Sequence, residues 1–134
     1  MIEAAISARL LADLALAELV GARIWWHRRD QGSALPALVL HRISEAQDYT
    51  YRGAVNLRPL RIQIDVHGAT ALEATRTLRT AEAALSGASW SAEGVEILGS
   101  FIEGGGGSSS EGSAADPPEG ARLRFDAIIH WRAL

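Results

Sequence analysis

Residues 58–85 read RPLRIQIDVHGATALEATRTLRTAEAAL, and this stretch decides the fold because it contains one strand and the helix that follows it. Apolar residues occupy every second position from residue 60 to residue 66, which is the period of a strand with one buried face. The polar residues that alternate with them are expected on the opposite face, and they are Arg61, Gln63, Asp65 and His67. We therefore predict a strand that contributes one side to a core.

The helix in this stretch is predicted to begin with a capping box. Thr70 stands three residues before Glu73, so the hydroxyl can accept from a free amide while the carboxylate reaches back to the amide of Thr70. Gly87 can then end the helix in a left-handed conformation. Helical spacing predicts the residues that pack on the sheet, and they are Leu72, Thr75, Leu78, Ala81 and Leu85.

The composition predicts one ordinary domain that spans residues 1–134. A formal net charge of −3 gives no reason to expect a protein that coats nucleic acid. The absence of cysteine excludes disulfides and thiolate metal sites, and all 13 basic residues are arginine, which excludes a P-loop lysine. Charged residues interrupt the apolar N-terminus, so we expect no signal peptide, no membrane span and synthesis in the cytoplasm.

The remaining elements follow from apolar periodicity and from turn residues. Asp13 can split the N-terminal helix by capping a second short turn over residues 14–19. Further strands are predicted over RIWWHR (23–28), PALVLHRIS (36–44), VEILGSFI (95–102) and ARLRFDAIIHWRAL (121–134). A polar loop over residues 45–57 and a flexible Gly/Ser-rich hairpin excursion over residues 103–120 connect them.

This order of elements predicts an α+β fold, with a mostly antiparallel sheet of about five strands and two helices packed on one face. The polar residues of the third and last strands then share the other face, whose mixed charge fits a subunit interface or a lumen. The candidates for that role are Arg61, Gln63, Asp65, His67, Arg122, Arg124 and Asp126.

A second group of residues is predicted to dock a partner. Trp25 and Trp26 are adjacent on one strand, so one indole is expected in the core and the other is a candidate interface anchor. The 45–57 loop and the 103–120 excursion are the other docking candidates, because loops carry contacts. The selected residues are Trp26, Tyr49, Tyr51, Arg52, Gly104, Gly105, Ser109 and Glu111.

Catalytic chemistry finds little support in the sequence. Acid–base or metal chemistry would need Asp65, His67 and His130 to converge on adjacent strands, and that pattern is common in any polar strand. We therefore expect no catalytic residue, no metal and no cofactor. Two alternatives remain, which are a non-catalytic α+β module that binds a ligand or peptide between helices and sheet, and a hydrolase that uses these His and Asp residues.

Three blocks of the chain, in this order, resemble the tail terminator or tail-completion proteins of long-tailed phages and gene transfer agents. The blocks are MIEAAISARLLADLALAELVGARIW (1–25), QGSALPALVLHRIS (31–44) and RIQIDVHGATALEATRTLRTAEAAL (61–85). The resemblance covers nearly the whole chain except the Gly/Ser-rich segment. It rests on the ordered combination of the blocks, since none of them is diagnostic alone.

The resemblance implies a structural virion protein without an active site. Such proteins form a homo-hexameric ring at the head–tail junction, end the tail tube and join it to the head connector or stopper protein. The resemblance also implies contact with the major tail tube protein and transient passage of double-stranded DNA through the ring, with assembly in the bacterial cytoplasm. An alanine-rich chain with arginine and no lysine suits a GC-rich host, which favours a gene transfer agent within this family.

Overall fold

The structure of the protein is a computed structural model that describes residues 1–103 and 120–134. Three helices and eight strands make up the described parts of the chain, and the fold is α+β. In chain order they are α1 (Ile2–Ala12), α2 (Leu14–Val20), β1 (Ile24–Trp26), β2 (Ala37–Glu45), β3 (Tyr49–Thr50), β4 (Gly53–Ala54), β5 (Arg58–Gly68), α3 (Ala71–Leu85), β6 (Trp90–Ala92), β7 (Val95–Glu103) and β8 (Ala121–Ala133).

Six strands form one mixed sheet in the order β1-β2-β5-β8-β7-β6. The pair β1–β2 is parallel and the other pairs are antiparallel. The sequence prediction of about five strands missed β6, because that strand has only three residues and reaches β7 through a tight turn. Glu93 and Gly94 form this turn with φ values of 52° and 78°, the backbone of a two-residue hairpin connection. The separate β3–β4 hairpin lies within the segment that the sequence predicted as a loop.

The N-terminal helix is divided at Asp13, so the described parts of the chain contain three helices where the sequence predicted two with a possible split. Asp13 leaves the helical conformation with ψ 115°, and its carboxylate accepts a hydrogen bond of 2.9 Å from the amide of Leu16. This bond satisfies one of the free amides at the start of α2. The capping role predicted for Asp13 is therefore confirmed.

The predicted cap of α3 is confirmed, with one change of partner. The Glu73 amide donates to the Thr70 hydroxyl at 3.1 Å, and the Glu73 carboxylate accepts from the amide of Ala69 at 3.1 Å, one residue before the predicted one. The predicted packing stripe is wrong at its start, because Leu72 is 70% exposed and Thr75 is also exposed. The residues that pack on the sheet are Ala74, Thr77, Leu78, Ala81, Ala84 and Leu85.

Close approach of the backbones at Gly68 explains this rotation of α3. A Cβ atom at Gly68 would lie 2.6 Å from the amide nitrogen of Ala74, so the helix rests on β5 through a glycine and an alanine. The space between α3 and β5 at this point is too small for a leucine side chain. The helix therefore turns its small residues toward the sheet and leaves Leu72 in solvent, and after its end Gly87 adopts φ 67° as predicted.

The core lies between the three helices and one face of the sheet. The alternation predicted for the third and last strands is confirmed on this side. The buried side chains of β5 and β8 are Leu60, Ile62, Ile64, Val66, Leu123, Phe125, Ala127, Ile129 and Trp131. Each large apolar side chain buried in this way contributes about 1.5–3 kcal/mol. No helix in the described parts of the chain is long and apolar enough to cross a membrane.

Candidate functional site

The face of the six-stranded sheet opposite the helices, called the outer face below, carries all the predicted interface residues. Their strands pair in a register that sets Gln63 opposite Asp126, Asp65 opposite Arg124 and His67 opposite Arg122. Opposite positions on antiparallel strands point to the same side of a sheet. The seven residues thus share one surface, and they are Arg61, Gln63, Asp65, His67, Arg122, Arg124 and Asp126.

Arg61 ties three strands together near the middle of the outer face. Its guanidinium donates to the Asp126 carboxylate through Nε at 3.0 Å and Nη2 at 2.8 Å, and to Glu103 through Nη1 at 3.3 Å. The hydrogen bonds to Asp126 and then to Glu103 raise the pKa of Arg61 above its ordinary value. Exposed pairs of this kind add little stability, so their main effect is to fix the charge pattern of the face.

Asp65 differs from the other polar residues because it is only 8% exposed. The sequence predicted Asp65 on the polar face as a subunit-interface or lumen candidate, and the structure places it on that face but almost fully buried. The carboxylate is held at 3.0 Å from His41 Nε2 and accepts from the Gln63 side-chain amide at 2.9 Å. These hydrogen bonds offset the cost of removing a carboxylate from water.

His67 is half-buried beside this cluster and stays neutral at neutral pH. Its pKa is lowered from 6.5, first because burial disfavours the charged imidazolium and then because Arg29 repels it. The Asp65 carboxylate acts in the opposite direction, and Arg122 adds to the lowering. Arg29 and Arg122 therefore both act against protonation of His67 at this end of the outer face.

An apolar patch lies on the outer face beside the Arg61 network, and the sequence did not predict it. Ile128 stands between Arg61 and Phe101 across the three strands. Phe101 is 53% exposed, and its ring meets His130 edge-on with centroids 5.7 Å apart. We call Phe101, Ile128 and His130 the apolar patch. Aromatic side chains are enriched at the centres of protein interfaces and polar residues at their rims, so an exposed phenylalanine with polar neighbours is a common feature of such surfaces.

The two adjacent tryptophans lie on opposite faces of β1, as expected, but the selected one faces the helices. Trp26 packs partly buried against the core, and its indole nitrogen donates to the Ser7 hydroxyl at 2.9 Å. Trp25 pairs with Val39, which stands opposite Asp65 on the outer face. Trp25 is therefore the tryptophan of this strand that lies on the outer face.

The β3–β4 hairpin presents the other docking candidates that the structure describes. Tyr49 is 73% exposed, Tyr51 is fully exposed and Arg52 is exposed. The amide of Arg52 donates to the Thr50 hydroxyl at 3.2 Å, which holds the turn closed while the tyrosines point outward. The candidates Gly104, Gly105, Ser109 and Glu111 lie outside the described residues.

The geometry does not assemble the catalytic group considered from the sequence. His67 stands opposite Arg122 and His130 opposite Pro59, so about eight residues of β8, or roughly 26 Å, separate the two histidines. In residues 1–103 and 120–134, no cluster of three or more His, Cys, Asp or Glu side chains is placed to hold a metal ion. One groove of about 370 Å³ lies between α2 and α3 on the helix side, and its walls include Glu18, Leu19 and Arg76.

The protein is thus a small α+β protein whose sheet carries helices on one face. The other face is open and combines fixed charges with an apolar patch, which suits contacts with other chains. Residues 4–130 match the family Tail completion protein gp17. The chain belongs to this tail completion family. It is therefore a structural protein of phage-type tails, and its place is in the virion.

A solved structure supports the same fold. A chain in the structure titled "Virion of native gene transfer agent (GTA) particle" is 20% identical to this protein and superimposes with a TM-score of 0.65. The similarity covers 98% of this chain and 93% of that chain. At this identity the likeness shows a shared fold. No match was found among curated protein sequences.

Proposed function

We propose that the protein forms a homo-hexameric ring that ends the tail tube and joins it to the head connector or stopper protein, with double-stranded DNA passing through the ring. The observation that carries the proposal is an outer face with an exposed apolar patch beside a fixed charge network, in a chain of the tail completion family. Cyclic rings require two different contact surfaces on each subunit. The outer face is one of these two surfaces.

The proposal extends to the particle and to the organisation of the chain. The whole of residues 1–134 acts as one domain, assembled in the bacterial cytoplasm, and the gene transfer agent particle is the context that the structural similarity favours. In this arrangement Tyr49, Tyr51 and Arg52 contact the tube or the connector, together with the segment around Gly104, Gly105, Ser109 and Glu111. Trp25 replaces Trp26 as the anchor on β1.

The ring is tested by measuring the mass of the purified protein alone and with tail tubes, by native mass spectrometry and negative-stain microscopy. We expect a species of six times the 14.3 kDa chain, with a central hole, on the tube ends. Phe101→Glu should abolish this species, because a carboxylate cannot be buried at the contact. Leu72→Glu is the matched control, because Leu72 is 70% exposed on the helix side.

These measurements test ring formation and the choice of contact face independently. A wild-type chain that stays monomeric at tube ends contradicts the ring. A ring that survives Phe101→Glu but is lost with Leu72→Glu moves the subunit contact to the helix side. Particles made without the protein should accumulate DNA-filled heads and separate tails, and normal joined particles would contradict the joining role.

A further inference from the structure

Gly99 lies against the phenyl ring of Phe101 on the outer face. The register of β7 shifts between Ile97 and Gly99, and beyond the shift Gly99 pairs with His130 and Phe101 pairs with Ile128. Residues two apart on a strand point to the same side, so Gly99 and Phe101 share the outer face. Glycine weakens a strand and often marks a place where another group approaches closely. At Gly99 that group is the phenyl ring.

The contact between Gly99 and the phenyl ring leaves no space for a side chain. A Cβ atom at Gly99 would lie 2.9 Å from Cε2 and 3.0 Å from Cζ of Phe101. Two carbon atoms attract each other best at about 3.5–4.0 Å, so a side chain at this position would displace the ring. His130 on the neighbouring strand meets the same ring edge-on, with the centroids 5.7 Å apart. The phenyl ring is therefore held by a glycine and an imidazole.

The close contact at Gly99 involves one side chain and no distant backbone. Apart from the chain neighbours of Gly99, the two phenyl carbons are the only atoms of the described residues within 4 Å of the added Cβ. Gly99 also lacks the left-handed φ of Gly120. A Cβ at Gly68, by contrast, would overlap the backbone of Ala74. An alanine at position 99 therefore fits the strand and changes only the position of the phenyl ring.

An exposed phenyl ring needs support if it is to keep one position. Phe101 is 53% exposed, and exposed side chains exchange between staggered rotamers. Ordering a side chain on binding lowers affinity, and a side chain that already has its bound position avoids this cost. The support from Gly99 and His130 thus prepares Phe101 for a contact. It adds little to the core, because it lies on the face opposite the helices.

We propose that Gly99 is a positioning residue for the subunit contact of the hexamer, because it lets the Phe101 ring take the position that a second copy of this chain binds. The inference rests on the proposed function, which assigns the apolar patch to that contact. It adds that one methyl group at position 99 weakens the contact. The fold of the subunit stays the same.

The test compares Gly99→Ala with the wild type. Nuclear Overhauser contacts between the rings of Phe101 and His130 report the phenyl position in the free subunit. Native mass spectrometry and negative-stain microscopy with tail tubes report assembly. We expect these NMR contacts to be lost and the concentration for half-assembly to rise roughly twofold to tenfold, the effect of ordering one more side chain on binding. Urea unfolding should show no loss of stability, because alanine restricts the unfolded chain more than glycine does.

Two further variants separate positioning from a general change of the strand. Phe101→Leu keeps an apolar side chain but removes the phenyl ring, so adding Gly99→Ala to it should have no further effect on assembly. Ser100→Ala is the matched control on the same strand. The side chain of Ser100 is buried on the helix side, where it stands opposite Ile129, so this variant should assemble as the wild type does.

Three results would overturn the positioning role. Ring contacts that survive Gly99→Ala would show that the glycine does not hold the phenyl ring. An equal loss of assembly when Gly99→Ala is added to Phe101→Leu would show that the glycine does not act through the ring. A wild type that forms hexamers no better than Gly99→Ala would refute the role while leaving the hexamer intact. A wild type that stays monomeric at tube ends would refute the hexamer as well.

Discussion

The replacement Gly120→Ala should destabilise the domain strongly, because two separate effects meet at this residue. Gly120 has φ 90°, a conformation that costs a residue with a side chain about 1–2 kcal/mol. A Cβ atom at Gly120 would also lie 2.3 Å from the carbonyl oxygen of Gly68. Relief of such an overlap by backbone movement costs about 1–3 kcal/mol. The two effects together lower the free energy of unfolding by about 2–5 kcal/mol.

Two other glycines separate these effects experimentally. Gly87 has φ 67° and open space around its Cα, so Gly87→Ala measures the conformational cost alone. Gly68 has no left-handed φ, but its Cβ would overlap the backbone of Ala74, so Gly68→Ala measures the steric cost alone. We expect Gly120→Ala to lose approximately the sum of the other two.

Urea unfolding followed by circular dichroism gives the three free energies, and thermal unfolding should show a loss of roughly 3–5 °C in Tm for each kcal/mol. The result that refutes the reasoning is a Gly120→Ala variant no less stable than Gly87→Ala. That outcome would mean that Gly120 does not lie against Gly68 in solution, and the position of the start of β8 beside the end of β5 would then be wrong.

Three further predictions concern single groups. Ser100→Ala should stabilise the protein by about 1 kcal/mol in urea unfolding, because the buried Ser100 hydroxyl has no hydrogen-bond partner among the described residues. Thr77→Ala should destabilise the protein by a similar amount, because the Thr77 hydroxyl donates a hydrogen bond to the Glu73 carbonyl. The lowered pKa of His67 means that the unfolded chain binds more protons than the folded one, so the free energy of unfolding should fall as the pH drops below 6.5. His67→Gln should reduce this pH dependence. A wild-type protein that becomes more stable on acidification would contradict the prediction. Trp26→Phe should lower the free energy of unfolding by about 1 kcal/mol, because the hydrogen bond to Ser7 is lost. Trp25→Phe should lower it less. A larger loss for Trp25→Phe than for Trp26→Phe would mean that Trp25, and not Trp26, faces the helices.

The sequence predicted most of the sheet because its signal is local. Alternation along β5 and β8 follows from one strand at a time, and the register then places Arg61, Asp65 and Arg124 on one face. The cap at Thr70 and the break at Asp13 also depend on neighbours a few residues away. Such features need no knowledge of the rest of the fold.

The errors came from contacts between distant parts of the chain. Leu72 has the spacing of a core residue, but the close approach of α3 to Gly68 turns it outward. Phe101 lies on the outer face because a bulge between Ile97 and Gly99 shifts the alternation of β7. The burial of Asp65 depends on His41, which is contributed by another strand. None of these effects leaves a local pattern in the sequence.

The position of β8 also has a consequence for synthesis. This strand follows every other described element along the chain, yet it pairs with β5 on one side and β7 on the other. While the ribosome holds residues 121–133 in its exit tunnel, β5 and β7 have no strand between them and the core lacks Phe125 and Ile129. The sheet can close only after translation releases this strand. A chain that still lacks β8 cannot form the outer face, because this strand contributes Arg122, Arg124, Asp126 and Ile128 to it.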